Sequence, residues 1–105
     1  MLIQVNTDHN IEGTQRFKDY VDELLRTSLG RFGEQLTRVE VYLSDERGER
    51  EGSLEQKRCL LEARLAGLAP LSVCEQGGSL HEVLAGSVTK LTHLLESTLS
   101  RLDRV

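Results

Sequence analysis

The sequence predicts an α+β domain, a two-layer sandwich of four strands and two helices in the order β-α-β-β-β-α, with both helices on one face of the sheet. Three observations predict it. Stretches at 2–6, 36–44, 57–66 and 71–75 alternate apolar and polar residues, the period of a half-buried strand. Two longer stretches, 14–29 and about 80–102, repeat their apolar residues at helical spacing. Each strand offers one apolar side only, so a single layer of helices covers the sheet and the other side stays open to water. At 105 residues and 38% apolar, the chain is expected to form one domain, 1–105, with one core.

The first strand is LIQVN (2–6), with Ile3 and Val5 facing one way and Leu2, Gln4 and Asn6 the other. TDHNIEG (7–13) is rich in turn formers and leads to the first helix. There Phe17, Val21, Leu24, Leu25 and Ser28 share a face. Thr14 is the expected N-cap, its hydroxyl accepting from an orphan N–H of the first turn. Gly30 is the expected stop, because glycine reaches the left-handed conformation cheaply. Lys18, Asp19, Asp22, Glu23 and Arg26 face outward, with Lys18–Asp22 and Asp22–Arg26 at i,i+4.

LTRVEVYLS (36–44) is the clearest strand, with Val39, Val41 and Leu43 inward and Arg38, Glu40, Tyr42 and Ser44 outward. DERGEREGSLEQ (45–56) has charge and glycine without an apolar period and reads as a mobile loop. In KRCLLEARLA (57–66) Cys59, Leu61, Ala63 and Leu65 form the inward set and Arg58, Leu60, Glu62 and Arg64 the outward one. Helix formers compete over 54–66, but the alternation and the GLAP turn (67–70) decide for strand. LSVCE (71–75) returns with Leu71 and Val73 inward. Ser79 and Glu82 form a capping box before a run in which Leu80, Val83, Leu84, Val88, Leu91, Leu95 and Leu102 keep the helical repeat. The expected core is Ile3, Val5, Phe17, Val21, Leu24, Val39, Val41, Leu43, Leu61, Ala63, Leu65, Val73, Leu84, Val88, Leu91 and Leu95.

Composition narrows the chemistry. No apolar run reaches the length of a membrane span. The N-terminus lacks a secretory pattern, which makes the cytoplasm the default compartment. Cys59, Cys74, His81 and His93 are the metal candidates, at spacings that match no compact ligand set. Cys59 faces inward and Cys74 outward, so no disulfide joins them. Ser79 with His81 and Asp8 with His9 are sequence neighbours, a poor arrangement for a catalytic triad. No enzyme activity, cofactor or small-molecule substrate is expected. The net charge is −4, with 11 acids and 7 bases over residues 1–52 and 6 of each over 53–105, so any cationic surface is local. Arg38, Arg58 and Arg64 share the open sheet face, with Lys57 at its edge. Glu40 and Glu62 share it too, and cross-strand Arg–Glu pairing is the competing structural role. Tyr42 also looks outward, where it can stack on a base. Lys90, Arg101 and Arg104 are sparse along the last helix.

Several strings, taken in order, resemble one family. RFGEQLTRVEVYLSDE (31–46) resembles the second-strand region of the ribosome hibernation promoting factor and ribosome-associated inhibitor A family, also known as sigma-54 modulation proteins. Lys57-Arg58-Cys59 with LEARLAGL (61–68) looks like the third strand of one subgroup, and IQVNTD (3–8) and Glu12-Gly13-Thr14 fit as well. The resemblance spans essentially the whole chain and implies the same β-α-β-β-β-α fold. It implies a translation inhibitor that binds the small ribosomal subunit and its rRNA in the decoding channel under stress or in stationary phase, without a cofactor. The chain ends just after the second helix, as in the short type. Positions matching the family's basic residues are Arg31, Arg38, Lys57, Arg58 and Arg64, with Lys90 and Arg101 following on the last helix. The helices carry fewer cations than the family pattern, which predicts weak binding or binding helped by ribosomal proteins. The alternative is a divergent member that has lost RNA binding and serves as a protein-interaction module.

Overall fold

The computed structural model describes residues 1–46 and 57–102. Its elements follow the expected order: β1 (Leu2–Thr7), α1 (Gln15–Leu29), a 3-10 turn (Gly30–Phe32), β2 (Leu36–Asp45), β3 (Lys57–Leu65), β4 (Leu71–Gly77) and α2 (Leu80–Leu102). The strands form one sheet in the order β1-β2-β3-β4. α1 returns the chain to the same end of the sheet, so β1 and β2 run parallel, with Ile3 opposite Val39 and Val5 opposite Val41. The β2–β3 and β3–β4 pairs are antiparallel.

Both helices cover the same side. Val39, Val41 and Leu43 of β2 and Cys59, Leu61, Ala63 and Leu65 of β3 are buried in one cluster with Val21 and Leu25 of α1 and Leu84, Leu91 and Leu95 of α2. Ile3, Val5, Phe17, Leu24, Val73 and Val88 pack half-buried around it. The core therefore centres on the two inner strands, and the outer strands and helix flanks form its rim. Residues 57–65 are a strand despite their helix-forming composition. Pairing on both sides satisfies the backbone, and the inward set fills the middle of the core, which outweighs intrinsic preference.

Both expected caps form. Thr14 Oγ1 accepts from Phe17 N at 3.1 Å, and Ser79 Oγ accepts from Glu82 N at 3.1 Å. Asp22 pairs with Arg26 at 2.7 Å, one of the two expected i,i+4 pairs. Gly30 ends α1 in a different way from that expected. Its φ is −58°, in the right-handed region, and the chain tightens into a 3-10 turn closed by Gly33 N donating to Gly30 O at 3.0 Å. That turn takes up the end of the helix without a left-handed residue. It also swings Phe32 into the core, and Leu29 and Leu36 are fully buried beside it, three residues absent from the expected set. The left-handed glycine is Gly67, at φ +76° in the β3–β4 turn.

β4 runs two residues beyond its expected end, because Gln76 and Gly77 pair with Arg58 and Lys57. Asp45, expected to open the loop over 45–56, is instead the last residue of β2, buried and opposite Lys57. From residue 47 that loop lies outside the described residues.

Candidate nucleic-acid interface

Strand register turns the open face of the sheet into rows that run across the strands. Leu2, Arg38 and Arg64 form one row, Gln4, Glu40, Glu62 and Ser72 the next, Asn6, Tyr42, Leu60 and Cys74 the third, and Ser44, Arg58 and Gln76 the fourth. Arg38 thus sits directly opposite Arg64, and Glu40 opposite Glu62. The expected cross-strand Arg–Glu pairs do not form, because the register sets like charges side by side. The pairs run along each strand instead, Arg38 Nε to Glu40 at 2.8 Å and Arg64 to Glu62 at 3.9 Å. A row of carboxylates beside a row of guanidiniums offsets the like-charge repulsion within each row.

Tyr42 donates its phenolic hydrogen to Glu40. That hydrogen bond, with the charges of Arg38 and Arg64, holds the Glu40 carboxyl below the usual carboxylate range, and it holds the Tyr42 phenol above its ordinary value. Arg38 also donates to Gln4 Oε1 at 2.8 Å, tying β1 to β2 across the face. Arg58 is different. Its Nε donates to Cys74 Sγ at 3.1 Å; no carboxylate among the described residues forms an ion pair with it, and Glu46 acts on it only through its charge. The sulfur contact raises its already high pKa further.

The other candidate cations lie elsewhere. Arg31 projects from the 3-10 turn toward α2, where it pairs with Glu96 and lies 4.6 Å from the centre of the Phe32 ring. Lys57 shares the parity of Cys59 and belongs to the covered side. Its ammonium is 3.0 Å from the Asp45 carboxylate, with side-chain exposures of 16% and 4%. Lys90, on α2 against β4, donates to Cys74 O at 2.9 Å and pairs with Glu75 at 3.3 Å. Arg101 is exposed in the last turn of α2. Arg104 lies outside the described residues. The structure thus brings Arg38, Arg58 and Arg64 onto one face and separates the remaining four.

Gln4 and Cys74 act as acceptors for arginines, a role that the sequence reading missed. Alternation placed both side chains outward, but only the register says which arginine each one meets. Cys59 and Cys74 are both free, on opposite sides of the sheet. Among the described residues no three His, Cys, Asp or Glu side chains are grouped to hold a metal ion, and no helix is long and apolar enough to cross a membrane.

A family profile described as Sigma 54 modulation protein / S30EA ribosomal protein matches residues 3–103. No curated protein matches by sequence. Among solved structures, the N-terminal domain of Thermus thermophilus Protein Y is similar over 93% of this chain and 99% of its own, with a TM-score of 0.72 and 22% identity. A ribosomal subunit interface protein from Coxiella burnetii is similar over 100% of both chains, with a TM-score of 0.66 and 13% identity. At these identities the likeness is one of fold.

Proposed function

The chain belongs to the Sigma 54 modulation protein / S30EA ribosomal protein family, and from that premise we propose that it inhibits translation by binding the small ribosomal subunit in the decoding channel, keeping ribosomes idle under stress or in stationary phase. The match over residues 3–103 carries this reading, because it takes in every element of the fold. The similar fold of a ribosomal subunit interface protein supports a site between the subunits. The chain acts by occupying space and neutralising phosphates, and its chemistry is that of a binding protein in the cytoplasm.

On this reading the candidate cations differ in how readily they can meet rRNA. Arg58 and Arg101 form no ion pair among the described residues, although the Glu46 charge reaches Arg58, and they meet phosphate first. Arg31, Arg38, Arg64 and Lys90 are held in exposed or half-exposed pairs, each worth about 0–1 kcal/mol, so a phosphate can displace the carboxylate at small cost. Lys57 is committed to Asp45 and supports the face from beneath. Few phosphate contacts mean a shallow salt dependence, with each contact contributing about 0.7–0.9 to the slope of log affinity against log salt.

Sedimentation of the purified protein with ribosomes at low and raised salt tests the reading. Co-migration that weakens with salt and is lost on Arg58→Glu with Arg64→Glu is the expected result. Wild-type protein that stays at the top of the gradient at low salt refutes it. Carboxylate partners on five of the seven candidate cations favour a second reading, a protein-interaction module without RNA binding, and that outcome would support it.

A further inference from the structure

We propose that the open sheet face carries a seat for a single unpaired nucleotide, its base on Tyr42 and Leu60 and its phosphate on the Arg58 guanidinium. The proposal rests on the ribosome reading above and adds the form of RNA that this face accepts.

The base platform is already in place. Tyr42 is 39% exposed in the middle of the face, and Leu60 stands directly opposite it on β3, followed by Cys74 on β4. The Tyr42 hydroxyl is tied to Glu40, so less side-chain freedom is lost when a base stacks on the ring. Base–aromatic stacking of this kind tolerates any base.

The phosphate anchor stands beside it. Arg58 is paired with Ser44, two residues beyond Tyr42 on β2, which makes Tyr42 and Arg58 diagonal neighbours about 7–8 Å apart. The contact to Cys74 uses Arg58 Nε, and the two terminal amino groups form no hydrogen bond or ion pair among the described residues, with Glu46 acting on the guanidinium only through its charge. A guanidinium steadied at one nitrogen, with its two others facing water, suits two-pronged contact with a phosphate. Gln76 and Ser44, on either side of Arg58 in the same row, add neutral polar groups for the sugar or the base edge.

The neighbouring row limits what fits. Glu40 and Glu62 border the platform on the side away from Arg58, and Glu40 is held firmly ionised by its hydrogen bond and by the arginines. A duplex laid across the face would bring a second phosphate backbone onto these carboxylates. A nucleotide turned out of its stack covers only the Tyr42 and Arg58 rows and avoids them.

The test uses a labelled single-stranded oligoadenylate and, as competitor, an RNA hairpin whose stem is fully paired. Binding is followed by fluorescence anisotropy at low salt, and circular dichroism checks that each variant is folded. Wild type is expected to bind the single strand in preference to the stem. Tyr42→Ala weakens that binding about tenfold and Tyr42→Phe keeps it. Tyr42→Thr, which suits a strand better than alanine, repeats the loss if the alanine variant is unstable. Arg58→Gln lowers the salt slope by about 0.7. Failure of wild type to bind the oligonucleotide overturns the proposal even where ribosomes still co-sediment. So does equal affinity in folded Tyr42→Ala or Tyr42→Thr. Loss of ribosome binding in those variants without any oligonucleotide binding assigns the face to a ribosomal protein and also overturns it. Absence of ribosome co-sedimentation by wild type sinks the underlying reading by a separate measurement.

Discussion

Cys59 ties the register of β3 to a measurable pH dependence. It is 0% exposed on the covered side of the sheet, and burial pushes its thiol from 9.0 up to about 11. Ser87 Oγ, 3.1 Å from the sulfur, pulls the other way, and burial outweighs it. In the unfolded chain the thiol ionises near its ordinary value. Between the two values the unfolded chain holds fewer protons than the folded one, so stability falls as pH rises. The contribution is complete below pH 9.0 and is lost as the pH passes about 11. A shift of that size, at about 1.4 kcal/mol per unit, amounts to about 2–3 kcal/mol. Urea unfolding of wild type and Cys59→Ala across this range isolates the effect, because lysines and tyrosines titrate alike in both proteins. The stability difference between them should shrink by about 2–3 kcal/mol toward high pH in favour of the alanine variant. A difference that stays constant would mean that Cys59 ionises as freely as an exposed thiol. A one-residue slip of β3 would do that, since it moves the whole inward set to the open face.

Two further predictions concern stability. Lys57→Met should cost about 1–3 kcal/mol in chemical denaturation, because the Asp45 carboxylate, 4% exposed, loses its ammonium partner; an unchanged midpoint would show that the pair contributes nothing. Gly67→Ala should cost about 1–2 kcal/mol and lower the melting temperature, because φ of +76° is strained for any residue with a Cβ. No atom crowds that Cβ position, so a melting temperature equal to wild type would mean that the turn relaxes to a different conformation.

Asp45 N donates to Asp8 Oδ2 at 3.1 Å, while Asn10 Nδ2 donates to Asp45 O at 2.9 Å. The connection after β1 is thereby fastened to the end of β2. The same short segment shows why a turn-rich string need not be loose: Asp8 and Asn10, read as turn formers, also bond backbone groups through their side chains.

The local periods in the sequence determined which residues face the core and which face water. A strand repeats every two residues and a helix every 3.6, so Val39, Val41 and Leu43, or Cys59, Leu61 and Ala63, declare their common side without reference to any neighbour. The caps at Thr14 and Ser79 are equally local, each bonding within its own first turn. Tertiary structure alone decided who meets whom across the strands. Register set Arg38 against Arg64 and Glu40 against Glu62, gave Arg58 a sulfur contact in place of an ion pair, and set Lys57 against Asp45. It also carried Arg31 around the 3-10 turn to Glu96, 65 residues further on. Charge is long-ranged and indifferent to period, so which cations remain for a phosphate depends on three-dimensional pairing that no single segment encodes.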